Sequence, residues 1–226
     1  MLFFVSRLEK AMSISSIDTG YTHFSTTPGN MHEHFPLLSQ YTEQCSHVTE
    51  LGSGELTSCW ALLHGLKRSK VSAKKELVCV DIKPAHESFD KVSAISSEGG
   101  VKMKFIRGNS LDVKMRKTDM LLIDTFHAYP QLKKELAKHE GVVDKYIAIL
   151  NTAVDGEMSE LVRMFYYYDI DAVCADLRCT HKEVCLGLRP AIDEFLLGSA
   201  GEWEIAEDVA NNNGLIILKR KKVDSV

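Results

Sequence analysis

Polar residues suited to binding or catalysis stand at four points of the sequence, each after an apolar, β-prone run. The first point carries Glu50, Gly52, Ser53, Gly54 and Ser58. The other three carry Asp81, then Asn109 with Ser110, then Asp124 with His127. In an open α/β sheet, ligands bind outside the carboxyl ends of the strands. The four points are therefore interpreted as one candidate site.

The chemistry of these points suits an adenosine-containing ligand. The small residues at 52–54 allow a close approach of the backbone to a ligand, and the next helix N-terminus offers free amides. The carboxylate of Asp81 can accept both hydroxyls of a ribose, and Asn109 with Ser110 forms a polar turn that can bond an adenine edge. Each signal is weak alone, because an acid that ends a strand is often a helix cap. Taken together, and in this order at the strand ends, the signals indicate an adenosine-containing ligand.

The first point distinguishes between two adenosine ligands. A dinucleotide site uses Gly-x-Gly-x-x-Gly, but Thr57 occupies the third glycine position here. Glu50 would repel a pyrophosphate and suits a cationic amino group. S-adenosylmethionine has an ammonium, a sulfonium and no phosphate, so we predict this methyl donor as the cofactor. An NAD-dependent oxidoreductase is the less favoured alternative.

Strand and helix patterns alternate between the four points. Strands are predicted at 47–51, 76–82, 101–106, 119–123 and 145–150, and helices at 33–45, 57–66, 85–97 and 130–139. This rhythm predicts a parallel sheet with helices on both faces. After a helix at 190–197, two runs at 203–209 and 215–219 flank an Asn/Gly turn and predict an antiparallel hairpin. The predicted fold class is α/β: a Rossmann-like, doubly wound sheet of seven strands, mostly parallel, with a C-terminal antiparallel hairpin.

Two segments depart from this rhythm. Residues 1–30 are rich in Ser, Thr, Gly and Pro, which predicts a flexible or docked extension before a cofactor-binding domain at 31–226. The apolar run at 1–5 is too short for a signal peptide. Residues 153–186 supply no strand to the sheet and are predicted to form a lid-like insertion over the acceptor. The basic tail at 219–222 is predicted to be a solvated end.

Composition excludes several classes of protein. The 226 residues carry a net charge of −4 and 45% hydrophobic residues, as in an ordinary globular protein. No run approaches the ~20 apolar residues of a membrane span, and broad basic coverage for nucleic acid is lacking. A small-molecule or sugar acceptor is the expected partner, and a homo-oligomer stays open. The six cysteines lack zinc-type spacing, which favours free thiols in a reducing, cytoplasmic compartment.

A family resemblance covers roughly residues 32–220. It rests on His32-Glu33-His34, Thr49-Glu50-Leu51-Gly52, the segments 58–63, 108–112 and 122–129, and the downstream segments 187–196 and 211–215. By these motifs the sequence resembles the class I S-adenosylmethionine-dependent methyltransferases, in particular the branch of cephalosporin hydroxylase-type proteins and catechol-type O-methyltransferases.

The resemblance implies a role for each candidate residue. Glu50 and the glycine segment that follows it would lie along the methionine part of the donor, and Ser58 would bind the donor carboxylate. Asp81 would hold the ribose. Ser110 and Asn109 would meet the adenine.

The resemblance also places Asp124 near the sulfonium and the acceptor. In catechol-type relatives, an acid at this position and a downstream acidic pair bind magnesium. Here Asn151 stands where related proteins often have an acid, and an amide is a weaker ligand for a hard cation. Bound magnesium is therefore left open, and no metal ligand is assigned.

Methyl transfer to a hydroxyl needs alignment of the nucleophile and benefits from a base. His127 is the candidate base, with Asp124 orienting it, and the alternative is that His127 caps the following helix. His34, with Glu33, is a further candidate to close over the donor; the alternative is a surface histidine. The predicted function is O-methylation of a small-molecule or sugar hydroxyl. A catalytically silent donor-binding protein that acts through a partner is the alternative.

The lid-like segment contains further candidates for the acceptor. Its aromatic run at 165–168 could stack on a sugar or a planar acceptor, and Arg163 or Arg178 could meet an anionic group. The alternative is that the aromatic run belongs to the core or to a subunit interface.

Overall fold

The computed structural model describes residues 14–221. The apolar run at 1–5 and the last residue of the basic tail, 222, lie outside the described residues. Among the described residues, no helix has the length and apolar character that a membrane crossing requires.

Seven strands form one sheet. They are β1 (His47–Leu51), β2 (Lys75–Asp81), β3 (Val101–Arg107), β4 (Thr118–Ile123), β5 (Val143–Leu150), β6 (Trp203–Val209) and β7 (Leu215–Arg220). The strand order is β3-β2-β1-β4-β5-β7-β6. Strands β1 to β5 are parallel, whereas β7 is antiparallel to both β5 and β6. The predicted fold class is confirmed.

Helices cover both faces of the sheet. In chain order they are α1 (Ile17–Thr26), α2 (Phe35–Thr42), α3 (Thr57–Arg68), α4 (Phe89–Glu98), α5 (Tyr129–His139), α6 (Glu160–Arg163), α7 (Ile170–Leu177), α8 (His181–Cys185) and α9 (Leu188–Gly198). Apolar side chains of α1 to α4 pack on one face of the sheet, and those of α5 and α9 pack on the other. The alternation of each strand explains this division: Leu121 and Leu122 are both fully buried but belong to opposite faces.

Helix α1 was not predicted from the sequence. It begins at a capping box formed by Ser16 and Thr19, and its buried residues are Ile17 and Gly20. A Cβ at Gly20 would lie 2.1 Å from the ring of Trp60, so the absence of a side chain allows α1 to pack closely on α3. Tyr21 and Phe24 also pack against the core, so positions 17, 20, 21 and 24 follow helical spacing. This spacing was missed because Ser, Thr and Gly dominate the segment.

The residues at 153–186 form the three short helices α6 to α8 rather than sheet strands. A single antiparallel bridge between Met158 and Leu186 closes the two ends of this segment. Inside it, Leu161, Leu177 and Val184 are buried in a small separate apolar cluster. We refer to residues 153–186 as the insertion.

The connection between β3 and β4, residues 108–117, contains no helix. Its residues Val113 and Met115 pack against the apolar cluster on the second face of the sheet. The connection begins with the predicted adenine turn, so that turn lies directly at the end of β3.

Candidate functional site

Backbone hydrogen bonds continue past the strand ends and bring the four predicted points together. The amide of Gly52 donates to Val80 over 2.8 Å, and the amide of Asp124 donates to Leu51 over 2.9 Å. The amide of Gly108 donates to Asp81 over 2.9 Å. Because β1 lies between β2 and β4 in the sheet, the four points form one edge, as predicted.

The glycine loop after β1 has the conformation that its sequence demands. Gly52 has φ of +86°, and a Cβ there would lie 1.9 Å from the carbonyl oxygen of Asp124. Gly54 has φ of +42° and open space where its Cβ would be. Between them, the Ser53 hydroxyl is buried and has no hydrogen-bond partner among the described residues. A buried hydroxyl without a partner is unfavourable, and this one marks a place where a polar ligand group would be stabilised.

Asp81 faces this loop from the end of β2. One of its carboxylate oxygens accepts the amide of Gly54 over 2.9 Å, and the other accepts the amide of Lys83 over 2.8 Å. The residue is partly exposed. Since a carboxylate can accept about four hydrogen bonds, each oxygen retains capacity for a ligand hydroxyl.

Glu50 lies in the core. Its side chain is fully buried, Ser58 donates to Oε1, and the thiols of Cys59 and Cys79 donate to Oε2 over 3.0 and 3.8 Å. Burial raises the pKa of Glu50 to about 7, although the hydrogen bonds oppose this shift. The Ser58 hydroxyl is thus bonded to Glu50, whereas the resemblance implied a bond to the donor carboxylate.

The predicted adenine turn is held by Glu135, an acid that was not predicted from the sequence. This carboxylate of α5 is fully buried and accepts hydrogen bonds from Ser110, Thr125 and Gln131. Burial raises the pKa of Glu135. The Ser110 hydroxyl therefore points inward, and the Asn109 side chain accepts the amide of Leu111 over 2.9 Å. In the sequence, Glu135 resembles any solvated acid of an amphipathic helix, so no local signal marks it.

His127 lies among three carboxylates. Its Nε2 is 3.1 Å from Asp124 Oδ1, and its Nδ1 is 3.1 Å from Asp155 Oδ2 and 2.7 Å from Glu160 Oε2. The Asn151 amide nitrogen is 3.3 Å from Asp124 Oδ1. Asp124 and His127 lie together, as predicted, whereas the two acids of the insertion were not predicted. Asp155 and Glu160 pair with His127 across a long stretch of sequence, and no hydrophobic periodicity indicates such a pair.

The three carboxylates determine the charge of His127. Burial alone would lower the pKa of His127, but its hydrogen bonds to Asp124, Asp155 and Glu160 hold that pKa well above the usual value. These contacts favour the imidazolium form of the ring. The alternative that His127 caps α5 is wrong, because Ala128 is the N-cap and no side chain caps this helix.

The insertion is tied to this cluster by two further contacts. Arg163 donates to both oxygens of the fully buried Asp155 over 2.9 Å, and Tyr168 donates to Glu160. The ion pair occupies the guanidinium of Arg163, a candidate for binding an anionic acceptor. Arg178, the other candidate, is exposed.

The aromatic run divides into two parts. Phe165, Tyr166 and Tyr167 are 68–69% exposed, so these three residues do not belong to the core. The alternative that they form a subunit interface stays a prediction. Tyr168 packs against Phe126, with ring centroids 5.3 Å apart.

His34 is buried rather than on the surface, which makes the surface alternative wrong. Its Nε2 lies 2.9 Å from the carbonyl oxygen of Asn212, in the turn between β6 and β7. The Asn212 side chain also bonds the backbone of Glu33 and of Gly29. The segment before β1 is therefore attached to the last turn of the sheet.

Three carboxylates meet at His127, which bears on the magnesium prediction. Magnesium prefers about six oxygen ligands in octahedral geometry. Asp124, Asp155 and Glu160 supply carboxylate oxygens around His127, and Asn151 is bonded to both Asp124 and His127. One atom each of His127, Asp155 and Glu160 could bind the same ion. Bound magnesium therefore stays a prediction.

Comparison with known proteins supports the fold. No family model matches the sequence, and no curated protein sequence matches it. Among solved structures, a protein described as a candidate caffeoyl-CoA O-methyltransferase from Staphylococcus aureus superposes with a TM-score of 0.55 at 14% identity, covering 96% of this chain and 98% of that chain. Cofactor-bound Rv0187 from MTB gives a TM-score of 0.56 at 12% identity, with 96% and 95% covered.

A third solved structure is similar over a smaller share of this chain. The O-methyltransferase TomG from Streptomyces achromogenes, in complex with SAM, gives a TM-score of 0.52 at 14% identity, covering 84% of this chain and 81% of that chain. These neighbours share the seven-stranded sheet but few residues. The predicted resemblance is thus confirmed in the architecture: this chain has the fold of the class I S-adenosylmethionine-dependent methyltransferases.

Proposed function

We propose that this protein transfers a methyl group from S-adenosylmethionine to a hydroxyl of a small molecule or a sugar. The observation that carries the proposal is the edge of the sheet at the ends of β1 and β2. There the glycine loop, the unpartnered Ser53 hydroxyl and the Asp81 carboxylate lie next to one another. Methyltransferases are among the proteins that share the fold.

The residues present fit this cofactor. Asp81 would accept the ribose hydroxyls through the capacity that its two backbone contacts leave free, and Ser53 would bond a polar group of the donor. Gly52 and Gly54 leave room for the methionine part, while Asn109 and Ser110 place their turn beside the adenine. When bound, S-adenosylmethionine supplies an already activated methyl group, so the protein has to align the acceptor and exclude water.

Asp124 is proposed to face the acceptor, and His127 to act as a positioning residue. The raised pKa of His127 disfavours the neutral ring, so the base role predicted from the sequence would require His127 to lose a proton first. The contacts of His127 instead favour a role in holding the insertion against the sheet. His127 connects Asp124 at the sheet edge to Asp155 and Glu160 of the insertion. The insertion would then close the acceptor side of the pocket.

The first test is donor binding. We expect Asp81→Ala to weaken S-adenosylmethionine binding about 10- to 100-fold, because hydrogen bonds to a charged group contribute about 1.5–3 kcal/mol. Isothermal titration calorimetry with S-adenosylmethionine, S-adenosylhomocysteine and NAD measures this. Asp90→Ala, which removes an exposed acid of α4, is the matched control. Binding of NAD alone, or unchanged affinity in Asp81→Ala, would refute the proposal for this edge.

A second candidate function is donor binding without turnover. It is favoured by one observation, namely that both ring nitrogens of His127 are bonded to carboxylates, which leaves no neutral base beside Asp124. A methyl-label assay over a panel of hydroxyl acceptors separates the two candidates. Donor binding with label transfer to none of the acceptors would favour the silent protein.

A further inference from the structure

Two thiols and a carboxylate meet in the core beneath the glycine loop. Glu50 of β1, Cys59 of α3 and Cys79 of β2 are all fully buried. The Cys59 and Cys79 sulfurs are 3.6 Å apart, and Glu50 Oε2 lies 3.0 Å from the first and 3.8 Å from the second. Two strands of the sheet and helix α3 thus converge on one point.

The size of this triangle matches a metal site. With sides of 3.0, 3.6 and 3.8 Å, its circumscribed circle has a radius of about 2.0 Å. An ion displaced by about 1 Å from the plane would lie about 2.3 Å from all three atoms, close to zinc–sulfur distances of about 2.3 Å and zinc–oxygen distances of about 2.0–2.2 Å. The side chains need only small movements to bind the ion.

The surroundings also suit a ligand carboxylate. Ser58 donates to Glu50 Oε1, which leaves Oε2 directed at the two sulfurs. Ligating carboxylates in metal sites are commonly oriented in this way by a hydrogen bond to the second oxygen. Thiolate sulfur selects zinc over the hard cations magnesium and calcium.

We propose that Glu50, Cys59 and Cys79 form a buried site for a thiophilic divalent ion such as Zn²⁺. Binding forms two metal–sulfur bonds and one metal–oxygen bond, a water molecule completes the four ligands that zinc prefers, and each thiol releases its proton to solvent. Because all three residues are buried, the ion enters as the chain folds. The site would fix β1, β2 and α3 relative to one another directly below the glycine loop. It does not depend on the proposed methyl transfer.

The test is metal loading during expression. The full chain is produced in medium supplemented with zinc, and in a second preparation with cobalt. We expect one zinc ion per chain by mass spectrometry of the metal content, and sulfur-to-cobalt charge-transfer absorption in the cobalt form. Cys59→Ser and Cys79→Ser should each lose both signals. The matched control is Cys45→Ser, because Cys45 is fully buried in the same apolar cluster but bonds only the backbone of Tyr41.

Several outcomes would overturn the site. A wild-type protein without stoichiometric metal contradicts it, as does charge-transfer absorption that persists in both cysteine variants. A Cys59–Cys79 disulfide found by peptide mapping of the zinc preparation would show that the thiols pair with each other instead. Circular dichroism establishes whether the variants fold, and if they do not, the metal content of the wild type decides alone.

Discussion

Gly52 and Gly54 of the glycine loop are each required for the conformation of the loop, but for different reasons. Both residues have a left-handed backbone conformation. A Cβ at Gly52 would clash with a backbone oxygen, whereas a Cβ at Gly54 would lie in open space. The close approach of Gly52 to the carbonyl of Asp124 joins the loop after β1 to the segment after β4. The geometry of the glycine loop therefore depends more strongly on Gly52.

We expect Gly52→Ala to lower the free energy of unfolding by more than about 2 kcal/mol, because a left-handed alanine costs about 1 kcal/mol and the clash adds to it. Donor binding should be lost as well. Gly54→Ala, the matched control for stability, should cost about 1 kcal/mol. Urea unfolding and calorimetry measure both effects. Equal costs for the two variants would contradict the role of the contact with Asp124.

At the scale of elements, helix α5 supports two turns of the site through one side chain. Glu135 accepts hydrogen bonds from Ser110 in the turn after β3 and from Thr125 in the turn after β4. Gln131, one turn earlier in α5, donates to the same carboxylate over 2.7 Å. The predicted adenine turn is thus positioned from inside the protein.

Removal of this carboxylate should disturb both turns. Glu135→Ala removes the acceptor of two buried groups, Ser110 and Gln131, and of the half-buried Thr125 hydroxyl. An unsatisfied buried group costs about 1–3 kcal/mol, so we expect a loss of at least about 2 kcal/mol in the free energy of unfolding. Glu135→Gln, which retains one acceptor oxygen, should lose less. Denaturant unfolding gives both values. A loss below about 1 kcal/mol in Glu135→Ala would show that the turns are held by other contacts.

The elements differ in how far the sequence predicts them. Strands such as β4 are apolar on both faces, and the rule that ligands lie at strand ends then located Asp81 and Asp124 without any structure. Glu135 could not be found in this way, because its pattern in α5 is that of an exposed acid. Asp155 in the insertion was missed since its partners are distant in sequence and no periodicity connects them.

At the scale of the whole molecule, the ion pairs of His127 join the sheet to the insertion. The residue lies after β4, whereas Asp155 and Glu160 belong to the insertion. Arg163 adds a bidentate contact to Asp155. A change in the charge of His127 therefore affects how firmly the insertion is held.

The pH dependence of the free energy of unfolding should show the contribution of the His127 charge. The folded state raises the pKa of His127, so its contribution to stability is complete below about pH 6.5, the value for an unfolded histidine, and is lost as pH rises through the folded-state pKa. The stability difference between wild type and His127→Gln should therefore shrink with rising pH. Urea unfolding between about pH 5 and pH 10 measures it.

The control for this titration is His181→Gln, which removes an exposed histidine paired with Asp171 on the surface. Its effect should be small at every pH, because exposed ion pairs contribute about 0–1 kcal/mol. If the His127→Gln difference stayed constant with pH, the ring would be neutral in the folded protein.

The asparagine turn between β6 and β7 has a consequence for the order in which the chain folds. Asn212 bonds Gly29 and Glu33, which precede it by 183 and 179 residues, and Asn213 accepts the amide of Ala153 at the start of the insertion. During synthesis, the segment at 29–34 leaves the ribosome long before its partner exists. Strands β1 to β5 can pair earlier, so this segment and the insertion acquire their final contacts only when the last hairpin emerges.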